Sequence, residues 1–214
     1  MRDAKKTASC CLLHGGLGDF VRDERKDIIK AALDHRINRV LTSSVGRLFD
    51  GAASVLNIAH ENRYEGECAG LLEKAAVAAE KNYVKPADLL FPLVEKEDGL
   101  ELDPMPFFAE ACRLGEKVDS GSLALGFHYS LAQAVLNVCS RLQDRYGSSA
   151  VALSGGVFQN GLLTERTIRL LRENGFRVYL NRAVPPNDGG ISLGQVYLGR
   201  EYLKETPSGY TSMP

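Results

Sequence analysis

The 214-residue chain contains no tryptophan, three methionines, four histidines and no Cys-x-x-C pair among its five cysteines. The spacing of Cys10, Cys11, Cys68, Cys112 and Cys139 excludes a zinc knuckle, and their odd number argues against a disulfide framework, so they read as free thiols. Cys68 and Cys139 fall in helical patterns, where free cysteine acts as a small core residue; Cys10-Cys11 lie in a weakly patterned stretch and read as an oxidation liability. No apolar run approaches the ~20 residues that cross a bilayer, and Met1-Arg2-Asp3-Ala4-Lys5-Lys6 opens onto no secretory core. A cytoplasmic location without a membrane partner is expected. Charge of one sign is also missing: 26 Lys and Arg face 27 Asp and Glu, a net charge of −1 that leaves no footprint for nucleic acid. No internal repeat or low-complexity tract breaks the chain.

What is present is an ordinary globular composition, 44% hydrophobic and 25% charged, in a chain long enough to bury a sizeable core. Residues 1–22 show no sustained period and carry Gly15-Gly16-Leu17-Gly18, which predicts a loose lead-in contributing little to the core. From Asp23 the pattern turns helical, with Ile28, Ile29, Ala32 and Leu33 on one stripe, and residues 39–44 read as a short strand or turn. A second helix carries Leu48, Ala52, Val55 and Leu56, and a third runs from about Gly66 to Lys81. Two apolar runs, 89–94 and 100–102, flank a charged stretch and predict a β-hairpin insertion with Pro92 at an edge. Gly121 to Arg145 then spell a long amphipathic helix that closes before Tyr146-Gly147 and gathers most of the core. The last part reads β-α-β-α: strand 149–154, helix 160–174, strand 176–180, helix 188–204 and a frayed tail over 205–214. The expected organisation is thus a lead-in, a unit over 23–204 with a helical part (23–148) and a β-α-β-α part (149–204), and the tail. The fold class is α/β, a parallel β-α-β core with a helical layer.

Chemistry concentrates in two glycine turns. Ser154-Gly155-Gly156-Val157-Phe158-Gln159-Asn160 follows the apolar run 150–153 and precedes a helical pattern. Glycines there let a ligand approach the backbone, and the N–H groups opening the next helix suit a phosphate or a polar nucleoside edge. The alternative is that the glycines serve turn geometry only. Pro185-Pro186-Asn187-Asp188-Gly189-Gly190 repeats the arrangement after Val178-Tyr179-Leu180, and right-handed crossovers place both turns on one rim of a parallel sheet, where open α/β folds bind ligands. Asp188 at that rim caps the last helix or holds a divalent cation beside a nucleotide, a carboxylate being a ligand suited to magnesium and also to iron or zinc.

These two turns, together with Thr42-Ser43-Ser44-Val45-Gly46-Arg47-Leu48-Phe49-Asp50, Tyr64-Glu65-Gly66-Glu67 and the continuation Ile191-Ser192-Leu193-Gly194-Gln195, strongly resemble the hydrogenase-maturation carbamoyltransferase family HypF over about residues 24–202. The resemblance implies the second lobe of an actin-like ATPase architecture, shared with the threonylcarbamoyl-transfer enzymes of tRNA modification, with ATP or carbamoyl-adenylate bound between two lobes. It implies that Gly155 and Gly156 pass close to the adenosine, that Asn160 bonds the base or acyl-phosphate edge, that Asp50 and Glu67 take the ribose hydroxyls, and that Asp188 meets a metal, magnesium or iron. The partners it implies are the first lobe and upstream HypF domains and a HypE-like protein whose cysteine accepts the carbamoyl group on the way to a nickel-iron hydrogenase.

Each residue also has a plainer role: Asp50 as a partner for Arg47, Glu67 as a first-turn acid favoured by the helix dipole, and His128, beside Phe127, as a core histidine outside the site. The family's paired-histidine metal motif has no counterpart among His14, His35, His60 and His128. Two functions follow from the resemblance: a carbamoyltransferase lobe, or a non-catalytic nucleotide-binding or assembly module, a remnant lacking the first lobe. In either case an apolar face left without its neighbour predicts self-association.

Overall fold

Helical order begins at Ala4 in the computed structural model, which describes residues 3–97 and 99–205. The Asp3 side chain accepts the Lys6 N–H at 2.7 Å and caps helix α1, Ala4–His14. Ala4, Ala8 and Leu12, one helical stripe, are buried, and α1 packs along α3, Val45–Val55. The loose lead-in expected over residues 1–22 is therefore corrected. The buried stripe is mostly alanine and small polar residues such as Ser9, which give almost no hydrophobic contrast along the sequence but allow close helix approach.

Helix α2, Lys26–Asp34, forms where the periodicity places it, yet of its four-residue stripe only Ile29 is buried, and Ile28 is 74% exposed. Residues 39–44 form an extended loop rather than a strand, with Val40 and Leu41 exposed. Helices α3 and α4 (Glu67–Lys81) pack on each other, and α4 lies along α6, Ser120–Tyr146, which Asp119 caps by accepting the Ser122 N–H at 3.0 Å and Gly147 closes at φ 70°. A further helix, α5 (Met105–Leu114), lies where no element is expected; it starts with Pro104 at its cap and Pro106 in its first turn, positions compatible with a helix start. The expected hairpin is present as β1, Leu93–Lys96, antiparallel to β2, Gly99–Leu102.

The main core is aromatic. Phe127 of α6 meets the rings of Phe49, Phe91 and Phe107 at centroid distances of 4.8, 5.7 and 5.2 Å, mostly edge to face. The segment leading to the hairpin is laced onto α6: Ser122 Oγ donates to Lys85 O at 2.6 Å, Ala87 N donates to Ser122 O at 3.0 Å, and Ser130 Oγ donates to Leu89 O. Gly126 permits this approach, since a Cβ there would stand 2.4 Å from Ala87 O.

Beyond α6 the chain turns to β3 (Ala150–Leu153), α7 (Gly161–Glu173), β4 (Arg177–Leu180) and α8 (Ile191–Glu205). The two strands are parallel, in register Ala150↔Arg177 to Leu153↔Leu180. A second core, Leu136, Leu153, Leu171 and Phe176, fixes this sheet against α6 and α7. The tail expected at 205–214 lies, beyond Glu205, outside the described residues.

Candidate functional site

The parallel pairing of β3 and β4, joined through α7, puts the ends of both strands side by side, and the two glycine turns touch. Gly155 N donates to Pro186 O at 2.7 Å, a main-chain bond that ties one turn to the other. Gly155 has φ 100° and ψ 157°, a conformation an L side chain rarely adopts, so glycine is required there by the backbone. Gly190 is required for a different reason: a Cβ would lie 2.9 Å from Pro185 O. Gly156 has neither constraint. It is exposed, and the nearest atom to a Cβ there would be Asn187 Cβ at 3.9 Å, so its backbone borders open space at the rim. Asn187 accepts the Gly189 N–H at 3.1 Å and shapes the short 3-10 turn Asp188–Gly190, with Asp188 exposed beside it.

Asn160 is committed inside the protein. Its Oδ1 accepts the Leu163 N–H at 2.8 Å as the cap of α7, and its Nδ2 donates to His128 Nε2 at 3.0 Å. Glu73 of α4 accepts the Leu162 N–H at 3.1 Å. The Leu162 and Leu163 N–H groups opening α7 are thus satisfied by side chains, one of them a carboxylate, and in the glycine turns Gly155 N, Gly189 N and Gly190 N are likewise bonded, to Pro186 O, Asn187 Oδ1 and Asn187 O. His128 is fully buried, donates from Nδ1 to Ala124 O at 2.8 Å, and stacks edge-on against Phe49 at 5.5 Å. Burial pushes its pKa down to about 4, so it is a neutral core histidine.

Asp50 and Glu67 are brought together, but facing inward. Asp50 is 2% exposed; its Oδ2 lies 2.7 Å from Arg47 Nη1 and its Oδ1 accepts Asn62 Nδ2 at 3.0 Å. Asn62 in turn accepts the Cys68 N–H at 2.8 Å, which sets the first turn of α4. Glu67 is 3% exposed and is clamped by Arg63: Oε1 takes Nε at 2.8 Å and Nη2 at 2.5 Å, and Oε2 takes the backbone N–H at 2.6 Å. Those bonds hold its carboxyl below the usual range. Sequence reasoning missed Asn62, Arg63 and Glu73, the residues that orient these groups. The signal available for Arg63 was its i,i+4 spacing to Glu67.

Asp188 stands alone: among the described residues no group of three or more His, Cys, Asp or Glu side chains gathers to hold a metal ion. One exposed carboxylate could hold magnesium only together with nucleotide phosphates and water, the usual way that ion is bound, and offers too few donors to hold iron by itself. The cysteines are no thiolate site either. Cys68 is fully buried, Cys11 lies half-buried on α1, and burial pushes both thiols up to about 11. A cavity of about 510 Å³ lies elsewhere, lined by Lys5, Ser9, Ser54, His60 and Cys112 among others, and shares no residue with the glycine turns.

Residues 4–195 match the family described as "Carbamoyltransferase, Kae1-like Domain, second subdomain". The chain belongs to the HypF carbamoyltransferase family. It is 38% identical over 180 residues to carbamoyltransferase HypF of Rhodobacter capsulatus, covering 84% of this chain and 22% of that protein. It is 30% identical over 184 residues to a HypF homolog of Cupriavidus necator, covering 85% of this chain and 46% of that one. Among solved structures, a full-length HypF in the phosphate- and nucleotide-bound form superposes with a TM-score of 0.82 at 28% identity, covering 99% of this chain and 28% of that one. This HypF-family chain therefore spans between about a fifth and a half of the length of these relatives. The mixed α/β second lobe of actin-like type implied by the resemblance is the fold observed. Among the described residues no helix is long and apolar enough to cross a membrane.

Proposed function

We propose that this chain is the nucleotide-facing lobe of a HypF-type carbamoyltransferase, binding ATP or carbamoyl-adenylate at the joined glycine turns. In this reading it helps deliver the carbamoyl group to a cysteine of a HypE-like acceptor during nickel-iron hydrogenase maturation. The single observation that carries it is the Gly155 N to Pro186 O bond, which fuses two glycine turns into one rim at the carboxyl ends of adjacent parallel strands. A relative solved in a phosphate- and nucleotide-bound form, matching nearly the whole of this chain, supports it.

The chemistry asks little of side chains. The carbamoyl carbon of a carbamoyl-adenylate is already activated as a mixed anhydride. An acceptor thiolate forms the S–C bond, the C–O bond to the phosphate breaks, and the nucleotide monophosphate leaves with the electron pair. The work of the protein is to position the anhydride and keep water from it. The exposed backbone at Gly156 is suited to a close approach by the phosphate, and its absent Cβ leaves room for the nucleoside, while the Gly189 and Gly190 amides hold the second turn in shape through Asn187. Asn160, Asp50 and Glu67 support the floor from within: Asn160 by capping α7, and the two acids through Arg47, Asn62 and Arg63. Asp188 adds negative charge at the rim and is assigned no step.

The assembly reading is favoured by one observation of its own. All the described side chains of α8 except the half-buried Glu201 are exposed, Leu193, Val196, Leu198 and Leu203 among them, as in a lobe that works only when joined to another. Calorimetric titration with ATP separates the two. Saturable binding by the wild-type chain, weakened at least tenfold by Gly156→Val with the melting temperature unchanged, supports the enzymatic lobe. No heat at millimolar ATP assigns the chain to assembly.

A further inference from the structure

The cavity of about 510 Å³ lies between α1, the C-terminal ends of α3 and α5, and the start of α6. Its size falls within the roughly 300–1,000 Å³ of sites that take small molecules. Leu12, Val21, Val55, Leu56 and Leu123 line it and suit an apolar body. The polar groups set among them decide what head that body carries.

The acceptors in the wall are already in use. Asp23 is buried, and its carboxylate takes the Arg25 backbone N–H at 3.0 Å, Arg25 Nε at 2.9 Å and Nη2 at 2.8 Å, with Ser9 Oγ at 3.4 Å. Both ring nitrogens of His60 are engaged as well, Nδ1 with Ser54 Oγ at 3.0 Å and Nε2 with Asn57 Oδ1 at 3.0 Å. What stays unmatched is a donor. Lys5 lines the cavity half-buried, and among the described residues its ammonium has no hydrogen-bond or ion-pair partner; its charge acts on Asp23 only through space. An ammonium partly withdrawn from water gains from an anion that accepts its proton, since charge-assisted hydrogen bonds are stronger than neutral ones. A second cation, Arg22, lines the same cavity, and its charge opposes the burial that pushes the Cys112 thiol up to about 11.

The acids nearby do not reverse that preference. A smaller adjoining cleft shares Lys5, Asp23 and His60 and adds Asp3, Glu24, Arg25 and Glu61. Asp3 is bonded to Arg25 Nη1 at 2.7 Å and to the Lys6 N–H at 2.7 Å. Glu24 and Glu61 are exposed and do not line the larger cavity, so water and salt screen them.

We propose that this cavity is a second ligand site, which binds a small amphipathic carboxylate with its apolar body among Leu12, Val55 and Leu123 and its carboxylate accepting from Lys5 Nζ. The site shares no residue with the glycine turns, so it stands or falls independently of nucleotide binding there.

The test is a titration of this chain with octanoate, followed by methyl and amide NMR. Saturable shifts are expected at the methyls of Leu12, Val55 and Leu123, with the Gly155 and Gly156 amides unmoved. The uncharged 1-octanol is expected to bind at least tenfold more weakly, and the cationic octylamine more weakly still. Lys5→Met keeps an apolar stem and the backbone N–H that bonds His60 O at 3.0 Å, but loses the ammonium. It is expected to keep the melting temperature, lose at least tenfold in octanoate affinity and bind octanol as wild type does. Val55→Phe fills the cavity and is expected to weaken both ligands; should it fail to fold, the Lys5→Met comparison decides alone. The proposal is overturned if octanoate does not saturate at millimolar concentration or if the shifts lie away from these methyls. Octylamine binding as tightly as octanoate, or wild-type octanoate affinity in Lys5→Met, overturns it equally.

Discussion

Replacing Asn160 with alanine tests whether that amide is structural. Two losses add. The cap of α7 disappears, at about 1 kcal/mol, together with its 2.8 Å bond to Leu163 N. In addition, His128 Nε2, on a residue with no exposed surface, loses its 3.0 Å donor, and an orphaned buried acceptor costs about 1–3 kcal/mol. Asn160→Ala is therefore expected to lower stability by about 2–4 kcal/mol, which at a urea slope near 2 kcal/mol/M moves the unfolding midpoint down by about 1–2 M. Asn160→Ser retains a capping oxygen but cannot reach His128 with a donor, and is expected to recover about 1 kcal/mol of the loss. Urea denaturation followed by circular dichroism reads both variants. A loss below about 0.5 kcal/mol for the alanine variant would refute the structural assignment of Asn160, and serine no better than alanine would refute the capping share of it.

Three further outcomes are expected. Because His128 titrates near 4 when folded and near 6.5 when unfolded, the unfolded chain binds the extra proton between those values. Stability should therefore be full above pH 6.5 and fall by roughly 3 kcal/mol as the pH drops to 4, a slope that His128→Gln should flatten in pH-dependent urea melts. Gly126→Ala drives a methyl into the Ala87 backbone and should destabilise by about 1–3 kcal/mol or more, read as a lower thermal midpoint; an unchanged midpoint would mean that the 85–89 segment moves freely away from α6. In native protein at pH 8, Cys68 should react with iodoacetamide far more slowly than in urea, as mass spectrometry of the alkylated peptides would show, since its thiol is both fully buried and titrates near 11.

What the sequence made legible was whatever rests on contrast. The long stripe of α6, the alternation around the charged hairpin and the glycine turns after apolar runs all stand out because neighbouring residues differ sharply in polarity or backbone freedom. Helix α1 did not, because its buried positions are Ala4, Ala8, Ser9 and Leu12, and close packing of small residues leaves little hydrophobic signal. The stripe on α2 misled in the other direction, since periodicity reports amphipathicity and cannot report that Ile28 faces solvent in this chain.

At the site, residue types were read well and their bonds were not. Asn160, Asp50 and Glu67 were expected to face a ligand, but a polar side chain's partner is fixed by tertiary placement. His128, Asn62 and Arg63 reach these groups first. The glycines were legible for the opposite reason: a backbone requirement such as φ 100° at Gly155 selects its residue type wherever the rest of the chain lies.

The most direct test of the account is an amide NMR titration of the 15N-labelled chain with ATP. The account predicts saturable shifts confined to Gly155, Gly156, Gly189 and Gly190 and their neighbours, with the Asn160 side-chain amide unmoved because it remains bonded to His128. Shifts centred instead on the cavity lined by Lys5, Ser54 and His60, with the glycine turns silent, would contradict it.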